Sequence, residues 1–566
     1  MNLEWESFDP LADEDTAELI ASGRTIGVFY VESPSTRQLL KRMGRGDYEN
    51  LVVASSIIRP AANSYIHTWV KRLHGAPYRP LHPLIEQTLA ETFGVMVYQE
   101  DVSRVAIDLA GFAIEEADRL RKILSKKDRG MRLPDLRERF FRGARARGVP
   151  EPTVVKVWDM ILSFDGYSFC KAHSASYAQV SFRAAWMKRF YPLELMTAVI
   201  NNAGGFYGRQ TYLDECRRLG IRVLPPDVNA SRWEYTTELT LTPGAPGLGD
   251  DGRRGLPPRG GLRVGLGQLK AARQELAKTI VDERERAGSF TGFQDFCARV
   301  PCRLEDMRML IRSGALDSVS DGCTRPQLFF RWLGMRREGG TAALTGGLGF
   351  SAPAAPVVGD YPERVKLADE VRTLGLVVSR HPLELFRPRI HRVARAHGLE
   401  PLVSSVDLPR HVNQVVWAAG ILVTAKEVST RKREPMIFVS FEDELAVFET
   451  VLFPDAFARF YPLLDDGWAF LVQGRVEDDL GAFAVTVERL VMISRRGGET
   501  AAVTLAGTAA APHAPPVAVP VAVPDRPPMF LWGRYHDYGD DPLAAARSAT
   551  AGRTSPGSSP AQHVSR

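Results

Sequence analysis

Hydrophobic residues recur at helical spacing along the first part of the chain. Ala17, Leu19 and Ile20 follow an acidic start at Asp13 and precede Gly23, which is the pattern of a short helix with a cap at each end. Further apolar positions recur at intervals of three and four residues, at Leu84, Ile85, Leu89, Phe93, Val102, Val105, Ala106 and Leu109. We therefore predict a helical scaffold here, with most of these apolar residues in its core.

The pattern changes to alternation from Val415 to about Ile493. Four apolar stretches with a period of two lie at 416–423, 436–443, 446–453 and 468–475. Strands of this kind predict a small antiparallel barrel of the OB type. Such barrels commonly bind single strands through aromatic side chains and a positive groove, so the basic turn with Arg431, Lys432 and Arg433 is a DNA-binding candidate. The alternative is a purely structural barrel.

The remaining sequence is mixed and ends in a low-complexity tail. A helix, a glycine stop and a strand that ends at a proline are predicted over 212–229, and a long helix runs through Ile280 to Arg286. The Gly/Pro-rich residues 243–261 between them are interpreted as a flexible insertion. Beyond residue 498, Ala, Pro, Val and Ser dominate without periodicity, which predicts a disordered tail. The fold class is therefore multidomain α+β, mainly helical, followed by the small antiparallel OB-type β-barrel and the disordered tail.

Composition sets limits on the partners of the protein. The 566 residues allow about four domains at roughly 150 residues each. The net charge of +5 is modest, so nucleic-acid binding has to come from local basic patches. Five cysteines without a CxxC pair do not indicate a zinc site or a disulfide framework. The acidic amino terminus and the lack of a long uncharged apolar segment predict a cytoplasmic protein that does not enter a membrane.

One short stretch contains the most informative group of polar and aromatic side chains. A glycine turn there places Tyr167, Lys171 and His173 together at the predicted start of a helix, with Ser174 or Ser176 as its cap. An aromatic face can stack on a base or sugar, an ammonium and an imidazole can neutralise phosphate oxygens, and free helix N–H groups attract anions. The turn suits a triphosphate; the alternative is an ordinary aromatic turn with solvated polar side chains.

Basic residues crowd the sequence between Arg119 and Arg147. They are Arg119, Arg121, Lys122, Lys126, Lys127, Arg129, Arg132, Arg137, Arg139, Arg142, Arg145 and Arg147. Positions 119, 122 and 126 lie at i, i+3 and i+7 and share one helical face. A solvated face matched by neighbouring acidic residues and an anion-binding face are both open on this pattern alone.

Several motifs occur in the order found in one polymerase family. Tyr167 to Ala178 resembles Tyr-Gly-Phe-Asn-Lys-Ser-His-Ser-Ala-Ala-Tyr-Ala, and Gly27 to Ser33 resembles Gly-Val-Phe-Gln-Leu-Glu-Ser. Residues 94–100 match a further motif nearly residue for residue, and residues 117–127 stand where the family has Ala-Asp-x-Leu-Arg-Arg-Ala-Met-Gly-Lys-Lys. The family is that of the alpha subunit of bacterial DNA polymerase III, the family C replicative polymerases. The resemblance covers about the carboxy-terminal half of such a subunit, over residues 1–495 here.

The resemblance implies a nucleotide site in a fingers domain. In the family, the basic residues of the last of these motifs lie near the triphosphate of the incoming nucleotide. The nucleotide-binding residues implied here are Arg121, Lys122, Lys126 and Lys127, beside the turn residues Tyr167, Lys171 and His173. Lys122 replaces the family's usual arginine, which keeps the charge and gives up bidentate geometry.

The resemblance also implies a succession of domains. They are a fingers domain with a palm-edge segment at 1–205, a tandem helix-hairpin-helix DNA-binding region at 206–320, a connector at 321–405, an OB-fold at 406–497 and the tail at 498–566. Glycine hairpins in such helix pairs let backbone N–H groups approach DNA phosphates. Here the family's hairpin glycines are replaced, so this approach is in question, although Lys270 and Arg273 can still contact phosphate. Arg59 is a further DNA-binding candidate, and His381 in the connector is interpreted as a capping or packing residue.

The resemblance implies polymerase chemistry, whereas its metal-binding carboxylates are missing. In the family, aspartates of a palm domain upstream of the Gly-Val-Phe motif hold two Mg2+ ions. No Pro-Asp-x-Asp-x-Asp signature and no Asp-x-Leu-Gly segment precede residue 27, so no catalytic residue and no metal ligand is predicted in this chain.

The expected partners are dNTPs, primer-template DNA and a palm-bearing polypeptide. A sliding clamp is a further candidate, although residues 345–350 lack the glutamine of a clamp-binding peptide. The hypothesis is a subunit for template-directed DNA synthesis, of the replicative or the error-prone type, that is incomplete by itself. The alternative is a noncatalytic DNA-binding remnant or accessory protein of a split polymerase.

Overall fold

A computed structural model gives the structure of this chain. It describes residues 9–58, 63–125, 132–164, 170–239, 260–270, 274–342, 357–430 and 432–495.

The first part of the chain is helical, as the hydrophobic spacing predicts. Its helices are α1 (Glu14–Ala21), α2 (Pro34–Met43), α3 (Tyr48–Ile57), α4 (Asn63–Leu73), α5 (Gln99–Ala110), α6 (Ile114–Ser125), α7 (Arg132–Ala146), α8 (Glu151–Leu162), α9 (Lys171–Phe190) and α10 (Pro192–Asn202). The Asp13 carboxylate accepts a hydrogen bond of 2.7 Å from the Thr16 N–H at the start of α1, and Gly23, at φ 66°, follows its end. The predicted capped helix is confirmed.

Two hydrophobic cores hold these helices together. One is built from α1 to α4 and the middle of α9, and its fully buried side chains include Trp69 and Phe182. The other is built mainly from α5 to α8, around Phe140 and Trp158, whose ring centres lie 5.3 Å apart. α3 packs along α9, and α5 packs along α6 and α7. These packings orient the helix ends that form the candidate site.

The stretch from Leu84 to Phe93 does not form the regular helix that its spacing suggests. Pro83–Ile85 form a single 3-10 turn and the following residues form turns. Phe93 then adopts a left-handed conformation, at φ 52°, through which no right-handed helix continues. Ile85 and Leu89 are nevertheless buried in the second core. The spacing therefore identified Ile85 and Leu89 as buried, whereas Leu84 is exposed and the predicted helical backbone is wrong.

The middle of the chain combines a small mixed sheet with helices. Its elements are α11 (Arg209–Arg218), β1 (Arg222–Leu224), β2 (Thr236–Leu239), β3 (Gly260–Arg263), α12 (Gln274–Ala287), α13 (Phe293–Arg299), α14 (Leu304–Ser313) and α15 (Arg325–Ala342). The strand order is β1-β3-β2, with β1 parallel and β2 antiparallel to β3. The helix, glycine stop and strand predicted over 212–229 are confirmed, with Gly220 at φ 75°. Gly260 and Gly261 lie in the predicted flexible insertion, and this part of the prediction is wrong. Gly260 pairs with β2, and Gly261 pairs with both β1 and β2.

A third core joins the middle of the chain to the connector. It contains Tyr212, Leu262, Phe296 and Leu310, together with Leu374 at the end of α16 (Glu363–Leu374). The next helix, α17 (Arg387–Ala396), packs instead against strands of the barrel. The connector therefore ties the helical part of the molecule to the barrel.

The final strands form a closed five-stranded barrel. They are β4 (Val415–Ser429), β5 (Pro435–Glu442), β6 (Val447–Leu452), β7 (Gly467–Asp479) and β8 (Ala482–Arg495), with α18 (Pro454–Asp466) between β6 and β7. The order is β4-β5-β6-β8-β7, and β7 closes the barrel onto β4. The predicted barrel is confirmed. It is antiparallel except where β6 pairs with β8 in parallel, because α18 carries the chain past that position before β7 and β8 return.

Two predictions from composition can be compared with the structure. None of the five cysteines, all of which lie in described parts of the chain, forms a disulfide bond. Within the parts of the chain that the structure describes, no helix is both long enough and apolar enough to cross a membrane. The tail at 498–566 and residues 345–350 lie outside the described residues, so the prediction of disorder stays a prediction.

Candidate nucleotide and nucleic-acid interface

The start of α9 is the centre of the predicted nucleotide site. Its N-cap is Cys170, which makes no side-chain capping bond. The Lys171 N–H donates instead to the Glu100 carboxylate over 3.1 Å. The Lys171 ammonium donates to the two carboxylate oxygens of Glu91 at 2.8 and 2.5 Å and lies 5.3 Å from the centre of the Tyr98 ring. A cation and two carboxylates therefore share an exposed helix start.

The predicted serine cap of this helix is wrong, because α9 begins earlier than the serines. The Ser174 hydroxyl lies inside the helix and accepts a buried hydrogen bond of 2.6 Å from the Ser56 hydroxyl of α3. The Ser176 hydroxyl donates to the Ala172 carbonyl one turn back, at 3.0 Å. The serines therefore attach α9 to α3 and to itself, and they do not offer capping groups to a ligand.

Four rings lie together beside the first turns of α9. The ring centre of Tyr177 lies 4.1 Å from that of His173, 5.0 Å from that of Tyr30 and 5.4 Å from that of Phe29. The Ser181 hydroxyl donates to the Phe29 carbonyl over 2.8 Å, which attaches the loop before α2 to this helix. Phe29 is 43% exposed. We refer to Phe29, Tyr30, Tyr177 and His173 as the aromatic cluster; an exposed ring face of this kind can stack on a base or sugar.

Arg121 and Lys122 both pair with one carboxylate on their own helix. The Asp118 carboxylate lies 2.6 Å from an Arg121 guanidinium nitrogen and 2.7 Å from the Lys122 ammonium. Hydrogen bonds from Lys122 and Arg121 lower the pKa of Asp118. All three side chains are exposed or partly exposed. Both cations are thus held on a solvated surface and can exchange this partner for another anion.

α3 and α5 both contact the start of α9, and α6 packs along α5. Ser56, in the last turn of α3, bonds Ser174 in the first turn of α9. α5 and α6 form a helical hairpin with a short connection, and the Ser103 hydroxyl of α5 donates to the Ala117 carbonyl of α6 over 3.3 Å. In an antiparallel pair with this register, the last turn of α6 lies beside the first turn of α5. That first turn carries Glu100, the partner of the Lys171 N–H.

The structure therefore brings some predicted nucleotide-binding residues to one region. Lys171 and His173 lie together on α9, and Arg121 and Lys122 lie near the end of α6, which packs along the same helix α5 that contacts Lys171. The predicted site residues outside the described residues are Arg59, Lys126, Lys127, Tyr167, Arg273 and Arg431. The segments 59–62, 126–131 and 165–169 that contain four of them follow α3, follow α6 and precede α9.

Lys270 is directed toward the connector. Its ammonium donates to the Val371 carbonyl over 3.0 Å and its N–H donates to the Thr373 carbonyl over 2.6 Å, both in the last turns of α16. A cation is favourable there because the carbonyl end of a helix carries partial negative charge. A DNA contact of Lys270 stays a prediction.

The glycine turn before α13 precedes a helix start whose backbone N–H group already has a hydrogen-bond acceptor within the protein. The Phe293 N–H donates to the Asp321 carboxylate over 3.2 Å, and a Cβ on Gly292 would lie 2.4 Å from that carboxylate. Asp321 also pairs with Arg331 at 2.9 Å. The lack of a side chain at Gly292 thus allows the Asp321 carboxylate to approach closely. The resemblance suggests instead that such a glycine allows DNA phosphate to approach.

Lys432 and Arg433 lie at the exposed tip of the turn between β4 and β5. The Thr430 N–H donates to the Glu434 carbonyl over 2.8 Å, and Arg433, at φ 64°, returns its own N–H to the Thr430 carbonyl over 2.9 Å. The turn thus carries two exposed cations on a defined backbone. Their binding of DNA stays a prediction.

His381 is a buried capping residue, as predicted. Its Nδ1 accepts a hydrogen bond of 3.1 Å from the Leu383 N–H at the start of a 3-10 turn. Burial, together with the nearby charges of Arg218, Arg217 and Arg387, lowers the pKa of His381 to about 2. The ring is therefore neutral.

Among the described residues, Asp214, His381 and Glu442 form the group compact enough for a metal ion. His381 Nε2 lies 3.8 Å from one carboxylate oxygen of each acid. Because Nδ1 accepts a hydrogen bond, the proton of the neutral ring is on Nε2, which then has no lone pair for a metal. Asp214 is also paired with Arg217. Mg2+ prefers oxygen ligands and retains several waters, so this buried group does not fit it.

A buried network of charged side chains was missed by the sequence reasoning. The Lys188 ammonium donates to the Glu215 carboxylate at 2.6 Å and to two backbone carbonyls of the loop after α1 at 2.9 and 2.6 Å. Arg218 pairs with Glu215 at 2.9 Å and lies 3.6 Å from Glu442 of the barrel. This buried ionic network joins α9, α11 and β5. No sequence signal points to it, because its members are separated by long stretches of chain.

The pKa values of Glu215 and Glu442, the two acids of the buried ionic network, are shifted in opposite directions. Burial alone would raise the pKa of Glu215, but Lys188 and Arg218 lower it to about 2. Burial and the adjacent Asp214 carboxyl raise the pKa of Glu442 well above 4.5. Glu215 therefore stays ionised beside its cations, whereas Glu442 holds a proton more readily than an exposed glutamate.

Two family models match parts of this chain. Residues 3–148 match the bacterial DNA polymerase III alpha subunit finger domain, which includes α1 to α7. Residues 220–328 match the helix-hairpin-helix motif, which includes α12 to α14. The first match ends before α9, so the candidate site lies partly inside and partly beyond it.

Relatives with similar sequences cover most of the chain. It is 32% identical over 484 residues to DNA polymerase III subunit alpha of Thermus aquaticus, an alignment that covers 83% of this chain and 38% of that protein. It is 28% identical over 493 residues to DNA polymerase III subunit alpha of Staphylococcus aureus (strain N315), which covers 84% and 42%. It is 31% identical over 529 residues to the error-prone DNA polymerase of Corynebacterium jeikeium (strain K411), which covers 87% and 45%.

The chain thus spans about two fifths of the length of these curated relatives, as the covered shares of 38%, 42% and 45% indicate. Its helical first part, its helix-hairpin-helix segment and its sequence similarity agree with one another. The chain is therefore similar, over most of its length, to DNA polymerase III alpha subunits, with one region that matches their finger domain and one that matches the helix-hairpin-helix motif.

Proposed function

We propose that this chain is a DNA polymerase III alpha-subunit-like polypeptide for template-directed DNA synthesis. It binds an incoming dNTP at the start of α9 and primer-template DNA along the helix-hairpin-helix region and the barrel. The observation that carries this proposal is the meeting of α3, α5 and α9, where Lys171 and the aromatic cluster lie together. The similarity to polymerase subunits supports it.

The exposed ion pairs are suited to triphosphate binding because they can exchange partners. Lys171 is bound to Glu91 by an exposed pair, and such pairs contribute little free energy in water. A triphosphate carries more charge than one carboxylate and accepts charge-assisted hydrogen bonds from an ammonium. In this proposal Lys171, Arg121 and Lys122 turn toward the phosphates, together with Lys126 and Lys127, while the aromatic cluster contacts the sugar or base.

The Mg2+ ligands come, in this proposal, from a palm outside these 566 residues. Bound Mg2+ would supply charge stabilisation and activation of the primer hydroxyl. The buried Asp214, His381 and Glu442 do not fit that role, as their hydrogen bonding shows. The residues of this chain then bind and orient the nucleotide and the DNA.

Nucleotide incorporation on primed DNA with Mg2+ tests the proposal. The chain alone is expected to give no extension, and addition of a palm-bearing polypeptide is expected to restore it. Extension by the chain alone would overturn the claim that it is incomplete. A failure to bind dNTP or DNA in the presence of a palm would overturn the proposed role itself.

Replacement of Lys126 and Lys127 by Ala tests where the triphosphate lies. The double variant is expected to raise the apparent KM for dNTP in the reconstituted enzyme, because two phosphate-neutralising charges are lost. Lys156→Ala on the exposed side of α8 is the matched control and should leave KM unchanged. An unchanged KM in the double variant would exclude this placement.

A noncatalytic DNA-binding remnant or accessory protein is the second candidate function. It is favoured by the poor fit of the compact acidic group in the described residues to Mg2+. It predicts DNA binding with no dNTP-dependent extension even when a palm is supplied. A sliding clamp and a cytoplasmic location stay predictions from the sequence.

A further inference from the structure

Tyr30 has an unfavourable backbone conformation next to the nucleotide site. Its φ is 66°, in the left-handed region that aromatic residues rarely adopt. Such a conformation persists where the surrounding structure enforces it, and it is found most often at functional sites. The motif that this loop resembles has glutamine at the same position, so the ring of Tyr30 is a departure of this chain.

The loop around Tyr30 is held from both sides. The Glu32 carboxylate accepts hydrogen bonds from the Gly27 N–H at 2.8 Å and from the Tyr212 hydroxyl at 2.9 Å. The Ser181 hydroxyl of α9 donates to the Phe29 carbonyl at 2.8 Å. Glu32 is buried, so these bonds are shielded from water. The loop can therefore impose the left-handed conformation on Tyr30.

The ring of Tyr30 is inserted between α3 and α9. Its hydroxyl lies 3.4 Å from the Ser55 carbonyl of α3. Its ring meets Tyr177 edge to face, with centres 5.0 Å apart and planes at 84°. Tyr177 in turn lies 4.1 Å from the His173 ring. A continuous row of rings thus runs from the held loop to the imidazole at the start of α9.

We propose that Tyr30 is a positioning residue that holds Tyr177, and through it His173, in the orientation that receives a nucleoside triphosphate. Tyr30 acts through the row of rings and does not itself touch the phosphates. An edge-to-face contact fixes the rotation of the Tyr177 ring, which a glutamine side chain cannot do. This inference rests on the proposed nucleotide role of His173.

The test compares Tyr30 variants by two measurements on the full chain. The first is the NMR resonance of the His173 ring in protein with labelled histidine, assigned with His173→Gln, because a ring 4.1 Å away shifts that resonance. The second is the equilibrium affinity for a dNTP. Tyr30→Phe keeps the ring, and Tyr30→Gln and Tyr30→Gly remove it. Glycine also relieves the left-handed backbone, so Tyr30→Gly is expected to fold even if Tyr30→Gln does not.

Tyr30→Phe is expected to match the unmodified chain in both measurements. Tyr30→Gly and Tyr30→Gln are expected to move the His173 resonance. They should also weaken dNTP binding about tenfold, because the nucleotide would lose about one stacking contact with the displaced rings. Tyr48→Gln is the control, because Tyr48 also contacts α9, through its hydroxyl and the Ala175 carbonyl at 2.9 Å. It should leave the His173 resonance in place.

The outcomes separate this inference from the proposed function. An unmoved His173 resonance in folded Tyr30→Gly protein would overturn the positioning role, whatever the dNTP affinity. A moved resonance with unchanged dNTP affinity would support the positioning of His173 and contradict its role in nucleotide binding. A moved resonance with weakened binding supports both.

Discussion

The buried ionic network and the start of α9 use similar charged residues in opposite ways. Lys188 and Glu215 are almost fully buried, and the Lys188 ammonium has three acceptors. Lys171 and Glu91 form an equally short pair of which about half of each side chain is exposed. A buried ion has lost its hydration and depends on its partners, whereas an exposed ion can return to water.

This difference suggests a division between structure and function. The buried ionic network joins parts of the chain that are far apart in sequence, so each charge there is committed to the fold. The pairs at the start of α9 and on α6 contribute little to stability and can be rearranged by a ligand. Short ion pairs alone therefore do not identify a functional site; exposure and neighbours do.

The largest expected effect comes from Lys188→Met. It leaves Glu215 and two backbone carbonyls buried without the Lys188 donor, which should destabilise the protein by about 3–5 kcal/mol. Lys171→Met, with an exposed pair, should cost less than about 1 kcal/mol. Urea unfolding followed by circular dichroism measures both. Equal shifts for the two variants would break the comparison.

Lys171→Ala should instead act on the ligand. Loss of one charge-assisted hydrogen bond to phosphate is expected to weaken dNTP binding about tenfold, with the melting temperature nearly unchanged. Equilibrium titration with a fluorescent dNTP gives the affinity, and Lys156→Ala provides a control at an exposed lysine of α8. Wild-type affinity in Lys171→Ala protein would remove Lys171 from the site.

The pH dependence of stability tests the acidic end of the buried ionic network. The pKa of Glu442 is raised above 4.5 by burial and by Asp214, so the protonated folded form is favoured. The contribution of Glu442 to the free energy of unfolding is therefore present below pH 4.5 and is lost as the pH rises through the pKa that Glu442 has in the folded protein. Glu442→Gln removes this loss, so its stability relative to the unmodified chain should rise between acidic and neutral pH.

Unfolding at a series of pH values measures this effect. Glu444→Gln is a suitable control, since Glu444 pairs with Arg387 at 2.5 Å at a more exposed position of the same turn. It should keep the pH slope of the unmodified chain. A Glu442→Gln protein with the same slope as the unmodified chain would show that Glu442 does not titrate in this range.

The smallest effect is expected from Asp118→Asn. This change removes one carboxylate that Arg121 and Lys122 share, and with it a competitor of phosphate for both cations. Because the pairs are exposed, dNTP affinity should rise by less than about twofold, and the gain should disappear at high salt. Affinity measured at two salt concentrations checks this. A decrease in affinity would indicate that Asp118 orients the two cations.

Much of the local structure could be predicted from the sequence. The capped helix α1, the long α12, the glycine stop after α11 and the alternating strands of the barrel follow from short-range patterns of apolar and turn residues. His381 could be predicted as a capping residue because a histidine before proline at a helix start has a backbone N–H within reach. These features depend on neighbours within a few residues.

The candidate site could be predicted only in part. Lys171 and His173 lie on the predicted helix start, but the serine caps were wrong, since Ser174 is used to attach α9 to α3. The contribution of Phe29 and Tyr30 was not predicted as part of the site. Both residues lie in the motif from Gly27 to Ser33. The aromatic residues of this motif and of the motif from Tyr167 to Ala178 were the sequence feature that could have indicated the cluster.

Most helices, turns and strands follow from the local sequence, because propensity, capping and periodicity act over a few residues; the turns over Leu84 to Phe93 and the strand β3 do not. Only the tertiary structure decided which cations are buried with partners and which remain exposed. It also decided that β6 pairs with β8 in parallel and that Tyr30 reaches Tyr177. The physical reason is that burial and ion pairing depend on residues brought together from distant parts of the chain, and no local pattern records that distance.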